Sequence, residues 1–308
     1  MKTEKISIVI PTFNRKNDIC EVLDSLQQQN YENYEIIVID DCSTDGSKNY
    51  IQIKYPGIIC LSTPINSGPA IARNIGLEKA SGSIIVGIDS DVIISDKELL
   101  NKTISCFEKH PEADCLSFRI LNYYDKKDDE GRWWHPHTIE THFNKYFYSN
   151  YFSGTGYAVK RSLIETVGYF PDYVFMDNEE VDYSLRIINS NLNILYTPEI
   201  FVLHKISRKA RMSDIPFFFK RRNQIWMVIR YYPIIKGISY LIPRIIKTFL
   251  LSLRKKKLKL YFKGLLQAIK ETPKHIAVRK PFNKKFWKRI AAINQEKFNP
   301  GDEKYYVQ

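Results

Sequence analysis

Two aspartates one residue apart, Asp89 and Asp91, close the apolar run Ile84-Ile85-Val86-Gly87-Ile88. Side chains two positions apart on an extended chain point to the same side, so both carboxylates can face one ion. A run of this composition reads as a buried strand, and two unpaired acids at its end are costly to bury. A hard divalent cation removes that cost and offers a seat to a phosphate. Farther along, Asp177-Asn178-Glu179-Glu180-Val181-Asp182 forms a second acidic centre. Acids in the first turn of a helix are favoured by its dipole. Arg186, four residues after Asp182, is placed to pair with it.

The elements that must carry these residues alternate. Residues 6–10 read as a buried strand that stops at Pro11, and Pro11-Thr12-Phe13-Asn14-Arg15 as a loop. Ile19, Val22, Leu23 and Leu26 have helical spacing. Residues 34–39 are a second strand ending at Asp40-Asp41, and a turn-rich segment suited to capping a helix follows. Residues 58–61 are a short third strand, Asn66-Ser67-Gly68-Pro69 a turn, and 70–80 a helix. The alternation implies an α/β fold, a mostly parallel sheet with helices on both faces. Ligands of such sheets sit at the carboxyl ends of the strands, where the informative residues fall. Beyond Asp91, residues 95–110 read as a helix, 115–121 as a strand and 125–131 as a charged, turn-like insertion. Trp133-Trp134-His135-Pro136-His137 then offers aromatic faces that suit either a sugar or simple packing, and neither histidine is assigned to a metal.

Of the 308 residues, 44% are hydrophobic, enough for a sizeable core. The five cysteines, Cys20, Cys42, Cys60, Cys106 and Cys115, are odd in number and form no C-x-x-C pair. That suits a reduced, cytoplasmic protein better than a disulfide scaffold, and no signal-peptide pattern precedes the first strand. The net charge of +12 is unevenly spread: residues 205–308 hold 27 Lys and Arg against 5 Asp and Glu. An acidic body therefore carries a basic C-terminal region, and the asymmetry suggests a membrane or nucleic-acid partner for that region.

Four segments, in order, resemble family 2 glycosyltransferases of the GT-A fold, bacterial-type enzymes that make polysaccharides and glycolipids. They are the first strand and its loop, Asp40-Asp41-Cys42-Ser43-Thr44-Asp45-Gly46-Ser47, Asn66-x-Gly68-x-Ala70-x-Ala72-Arg73-Asn74-x-Gly76, and Asp89-Ser90-Asp91. A lone D-x-D is weak, but the four together are specific, and the match covers about the first two thirds of the chain. The resemblance implies a nucleotide-sugar donor, a UDP-sugar foremost, bound by Pro11, Thr12, Phe13, Arg15, Asp41, Asn66, Gly68, Arg73, Asp89, Ser90 and Asp91. Phe13 would pack on the base and Asp41 accept its hydrogen bond. Arg73 would lie near the diphosphate or position the D-x-D strand. Asp91 would be the main ligand of Mn²⁺ or Mg²⁺, with Asp89 and His204 as further ligands. Ser153-Gly154-Thr155-Gly156 resembles a segment lining donor and acceptor, which puts Gly154, Thr155 and Asp182 on the acceptor side. The family's catalytic base maps onto Glu180, where Asp is usual, leaving Glu179 as the alternative.

The resemblance divides the chain into a catalytic domain over residues 1–204, with a nucleotide-sugar half to about 91 and an acceptor half from 92, and a region 205–308. In the latter, apolar residues at 238, 241, 242, 245, 246, 249, 250 and 253 form one helical face, interrupted by Arg244 and Lys247 and with Pro243 inside it. A spanning helix needs roughly 20 mostly apolar residues, so this face suits the surface of an anionic membrane instead. Residues 274–308 read as a loosely structured basic tail anchored by Phe286 and Trp287. The expected activity is an inverting, metal-dependent glycosyl transfer to a hydroxyl of a saccharide, lipid-linked at the cytoplasmic face. The alternatives are a nucleotidyltransferase and a non-enzymatic membrane-surface binder. No nucleic-acid-binding motif is present.

Overall fold

The computed structural model describes residues 4–205 and 216–305. The first elements alternate as the periodicity predicts: β1 (Ile6–Thr12), α1 (Lys16–Leu26), β2 (Tyr34–Asp40), α2 (Ser47–Lys54), β3 (Ile59–Ser62), α3 (Pro69–Lys79) and β4 (Ile84–Ile88). Next come β5 (Val92–Ile93), α4 (Leu99–Lys109), β6 (Cys115–Asn122), α5 (Ile139–His142), β7 (Phe147–Ser149), β8 (Gly156–Lys160), α6 (Arg161–Val167), α7 (Glu179–Asn189) and β9 (Ile194–His204). A π-helical turn (Pro216–Lys220) then runs into α8 (Arg221–Tyr231), α9 (Ile234–Arg254), α10 (Leu258–Ala277) and α11 (Lys284–Asn294).

The strands form one sheet in the order β3-β2-β1-β4-β8-β6-β9-β5, with β7 also on β9. The expected parallel pairing holds from β3 to β4. In the second half the pairing is mixed: β8 runs antiparallel to both β4 and β6, and β5 and β7 run antiparallel to β9. Parallel neighbours need a long crossover, and antiparallel ones do not. β8 is reached through the 123–155 excursion, which contains no long helix, so the strand–helix alternation does not govern it. The reversal has a consequence for the site. Ile88 at the end of β4 pairs with Gly156 at the start of β8, so the D-x-D segment and Ser153–Gly156 meet at one edge of the sheet.

Alternate residues feed the two faces of the sheet. Ile8, Ile10, Val38 and Val86 join α1 and α4 residues in one apolar cluster. Val9, Ile37, Ile39 and Ile85 join residues of α3, α6 and α7 in the other. That second cluster also takes in Met227, Val228, Phe282, Phe286 and Ile293. Position 204/205 thus marks a change of composition but not a break in packing. Residues 284–294 form a helix in which Phe286 is fully buried and Trp287, half-buried, packs against the same cluster, so they are not the anchors of a loose tail. Arg289, fully buried, donates from Nη1 to Ile188 O and from Nη2 to Leu192 O, both at 2.7 Å. Ile188 is in the last turn of α7, where a cation is favoured by the helix dipole. In contrast, α9 and α10 leave Ile235, Ile238, Ile242, Leu250, Leu266 and Ile269 exposed. Among the described residues no helix is long and apolar enough to cross a membrane.

Candidate active site

Arg73 is the hub. It stands on α3, which starts only because Gly68 adopts φ +86° against the Phe175 carbonyl, where a Cβ would collide. Asp41 holds that turn: it accepts from Thr63 Oγ1 at 2.7 Å and from the Ser67 and Gly68 amides at 2.8 Å. Three of the roughly four acceptor positions of a carboxylate are thereby used. From α3, Arg73 Nη2 reaches Asp89 Oδ1 at 2.8 Å, while Nη1 lies 3.3 Å from Glu179 Oε1 and 3.8 Å from Glu180 Oε1. One guanidinium therefore joins the end of β4 to the head of α7. Burial works against its charge, and the three carboxylates more than offset this, raising its pKa.

The two aspartates of the D-x-D segment diverge. Asp89 Oδ1 is taken by Arg73 and Oδ2 accepts from Thr155 Oγ1 at 3.0 Å. Burial opposes its charge, yet Arg73, Arg132 and His204 hold its carboxyl below the usual range. Each oxygen of Asp89 is thus engaged by one protein donor, with further acceptor positions left on both. Asp91 lies 3.6 Å from His204 Nε2 and 3.0 Å from Arg15 Nη1. The strand pairing Val92↔His204 sets this approach. His204 Nδ1 meets Asp129 Oδ2 at 2.7 Å. A carboxylate behind an imidazole fixes the ring so that its other nitrogen faces outward, the usual arrangement for a metal-ligating histidine. Burial lowers the His204 pKa, but Asp129 and Asp91 reverse that and raise it. The Asp91–His204 pair fits a hard or borderline divalent cation.

Arg132, at the end of the 125–131 insertion, went unnoticed in the sequence. Its Nη2 lies 3.5 Å from His204 Nε2, and its buried Nε has no hydrogen-bond partner. Burial opposes its charge, while Asp89, Tyr151, Glu180 and Asp91 raise its pKa. A buried guanidinium with an unused donor beside two carboxylates is suited to an incoming oxyanion. Nothing in the local spacing marked it, because β6 and β9, which carry the insertion inward, pair only in the fold.

The two acids of α7 separate by environment. Glu179 is buried, and burial followed by the neighbouring Glu180 pushes its pKa up to about 8. Glu180 touches solvent and, apart from its 3.8 Å approach to Arg73, makes no hydrogen bond among the described residues. Gly154 makes room for it: a Cβ there would strike Glu180 Oε1 and the Arg73 guanidinium. Asp182, expected on the acceptor side, is buried. Its oxygens pair with Arg186 Nε at 2.8 Å and with the Tyr173 hydroxyl, so it braces α7 and is closed to an acceptor.

The approach to α7 is strained. Asp177 and Asn178 both have φ +72°, a left-handed conformation that costs a non-glycine residue about 1 kcal/mol or more each. Asn223 Nδ2 of α8 donates to the carbonyls of Met176 and Asp177, each at 2.7 Å, and Gln224 Nε2 to Asn178 Oδ1 at 3.2 Å. The basic C-terminal region therefore shapes the loop that leads into α7. Beside that loop opens a groove of about 920 Å³ lined by Trp134, Tyr151, α8 and α9. Its lining includes Lys220, Arg221, Lys236, Arg244 and Lys247 and no carboxylate. The aromatic segment divides: Trp133 and His135 pack with Phe147 and Tyr196, while Trp134 stacks on Tyr151 with Lys220 Nζ 4.1 Å above its ring. Of the donor-side residues, Thr12 and Ser90 are buried, Phe13 is 41% exposed and Asn66 lies at the surface.

This arrangement is that of a GT-A glycosyltransferase. Residues 7–168 match the sequence profile described as Glycosyl transferase family 2, and the chain belongs to that family. It is 31% identical to the glycosyltransferase GlyG of Streptococcus pneumoniae over 223 residues, 71% of this chain and 62% of GlyG. It is 36% identical to the UDP-Glc:alpha-D-GlcNAc-diphosphoundecaprenol beta-1,3-glucosyltransferase WfaP of Escherichia coli over 41% of this chain and 48% of WfaP. The chain thus covers less than two thirds of these relatives' length. Residues 1–349 of Staphylococcus aureus TarS, solved with UDP-GlcNAc, superpose with a TM-score of 0.61 at 18% identity, covering 98% of this chain and 89% of that one. The mannosyltransferase PcManGT from Pyrobaculum calidifontis, solved with GDP-Man and Mn²⁺, gives 0.56 at 18% identity over 96% and 86%. At such identities the likeness speaks to the fold alone.

Proposed function

We propose that this chain transfers a sugar from a nucleotide-sugar donor, a UDP-sugar foremost, to a hydroxyl of a saccharide acceptor, inverting the anomeric centre. The observation that carries the reading is the pair of acids on α7: one buried and pushed toward its protonated form, the other, Glu180, partly exposed and without a hydrogen bond among the described residues. Glu180 takes the proton of the acceptor hydroxyl. The acceptor oxygen bonds to the anomeric carbon as the bond from that carbon to the diphosphate breaks on the opposite face. The transition state is oxocarbenium-like, as in glycoside hydrolysis, and a single displacement inverts the centre. Arg132 and Arg15 face the charge that gathers on the leaving diphosphate. Asp91 and His204 would hold Mn²⁺ or Mg²⁺, which supplies further neutralisation of that group. On the donor side, Phe13 lies against the base, and the remaining acceptor position of Asp41 takes its N–H. The named donors of WfaP and of the TarS complex support a UDP-sugar.

The acceptor lies in the cationic groove, whose five basic side chains and Trp134 suit a saccharide carrying phosphate, such as a lipid-linked one. The exposed apolar residues of α9 and α10, set among Arg254, Lys255, Lys256 and Lys257, rest on an anionic membrane surface. In this reading the enzyme works peripherally on the cytoplasmic face, in cell-surface polysaccharide or glycolipid synthesis. The test is product analysis with a panel of nucleotide sugars: nucleoside diphosphate release with sugar transfer is expected, and pyrophosphate release would replace this reading by nucleotidyl transfer. Cosedimentation with anionic but not neutral vesicles, lost on changing Ile238, Ile242 and Ile246 to Ser, checks the membrane surface.

A further inference from the structure

A second set of metal-ligating side chains lies away from the carboxyl edge of the sheet, between α5 and the end of α11. One nitrogen of His137, one of His142 and a carboxylate oxygen of Glu296 lie within 4.8 Å of one another. The set shares no residue with the Asp91–His204 pair. The two imidazoles stack at 4.6 Å, and His142 Nε2 is in contact with Glu296 Oε1. His137 Nδ1 lies 4.0 Å from the same oxygen.

Three features point to a ligand here. His142 Nδ1 meets Thr141 Oγ1 at 2.6 Å, and Thr141 Oγ1 also donates to the Thr138 carbonyl at 3.2 Å. Thr138 Oγ1 also lies 2.7 Å from Thr141 Oγ1, and in the tautomer that donates Nδ1–H to Thr141 the lone pair of Nε2 faces Glu296. An imidazole held through its other nitrogen and facing a carboxylate is the form that metals take. Second, the His137 side chain is 7% exposed, and its Nε2 has no hydrogen-bond partner. Third, Glu296 has φ +54° just past α11, where Lys297 N closes the turn onto Ala292 O at 2.8 Å. Helices usually end this way on glycine, and a glutamate here is strained by about 1 kcal/mol. Its side chain reaches the two histidines from that position. Lys145 and several aromatic residues complete the wall of the surrounding cavity of about 290 Å³.

We propose that His137, His142 and Glu296 bind Zn²⁺, with water as the fourth ligand. Two imidazoles and one carboxylate are a ligand set zinc takes, and imidazole disfavours Mg²⁺. The ion ties segment 133–142, which carries Trp134 at the groove, to the end of α11. It therefore acts on the acceptor wall and on stability, not on the displacement itself.

The test uses the full chain with Asp91→Ala, so that the catalytic pair does not compete, stripped with a chelator and titrated with Zn²⁺ against a chromophoric zinc indicator. One Zn²⁺ per chain is expected, together with a rise in Tm that Mg²⁺ does not reproduce. Adding His142→Ala or Glu296→Gln should weaken zinc binding at least 100-fold, beyond the 10–100-fold typical of losing an outer-shell partner. Glu296 is exposed and Gln keeps its shape, so that variant retains the fold, with circular dichroism as the check. The absence of bound zinc, or unchanged binding in the Glu296→Gln protein, overturns the proposal. A loss of Tm in Glu296→Gln that is the same with and without Zn²⁺ also overturns it, leaving a plain His142–Glu296 ion pair.

Discussion

The two halves of the active site are held in opposite ways. On the donor side, acids tie down loops that follow their own strands. Asp41 gathers Thr63, Ser67 and Gly68, and Asp45 accepts from the amides of Lys16 and Ser47. On the acceptor side, the strained Asp177–Asn178 turn is held from outside, by Asn223 and Gln224 of a helix that follows in the chain. The first side is rigid through local chemistry. The second depends on the docking of the basic helices, whose cations also line the groove. The halves should therefore fail separately.

The largest separation is expected from Glu180→Gln. Sugar transfer should fall by about 10²–10⁴-fold, the usual worth of a general base, with donor affinity retained in calorimetry. Full activity would remove Glu180 as the base. Next is Asn223→Ala, which frees the Met176 and Asp177 carbonyls. A displacement of about 1 Å costs up to 10²-fold, so a fall in kcat of about 10–100-fold with unchanged donor affinity is expected. Equal damage to donor binding would show the halves to be one unit. The double variant Lys236→Ala and Arg244→Ala should raise the acceptor KM by about 3–10-fold, at about 0.5 kcal/mol per exposed charge, and flatten its salt dependence, with the donor KM unmoved. Smallest is Glu179→Gln, a stability effect. The folded pKa of Glu179 is pushed up to about 8, above the ordinary glutamate value of 4.5, so its contribution is fully present below the latter and is lost as pH rises through the former. Gln has no such loss. The variant should melt several degrees above the parent at about pH 9, at roughly 2–4 °C per kcal/mol, and level with it near pH 4.

The donor half was legible in the chain because each of its residues lies within a few positions of a strand end. Asp40, Asp41, Gly68 and Asp89 are placed by β2, α3 and β4 in sequence order, and the parallel pairing brings them to one edge. The acceptor half was less legible. Arg132 and Asp129 reach His204 only through the β6–β9 pairing across a long excursion. Asn223 acts on residues more than forty positions earlier. Asp182 read as part of an acidic motif, but spacing alone could not tell that Tyr173 would take its second oxygen. Phe286 and Trp287 sit in a basic stretch, and charge concealed their burial, because the lysines point outward while the helix buries its other face.

Arg73 contacts acids from both halves at once. A nucleotide sugar that draws on Asp89 or Thr155 changes what that guanidinium can give to α7, so occupancy of the first compartment is felt by the second. The kinetic expectation is an ordered scheme, donor first. Product-inhibition patterns competitive between nucleotide product and donor, and noncompetitive toward the acceptor, are its signature, and a random scheme would show that the guanidinium is only a brace.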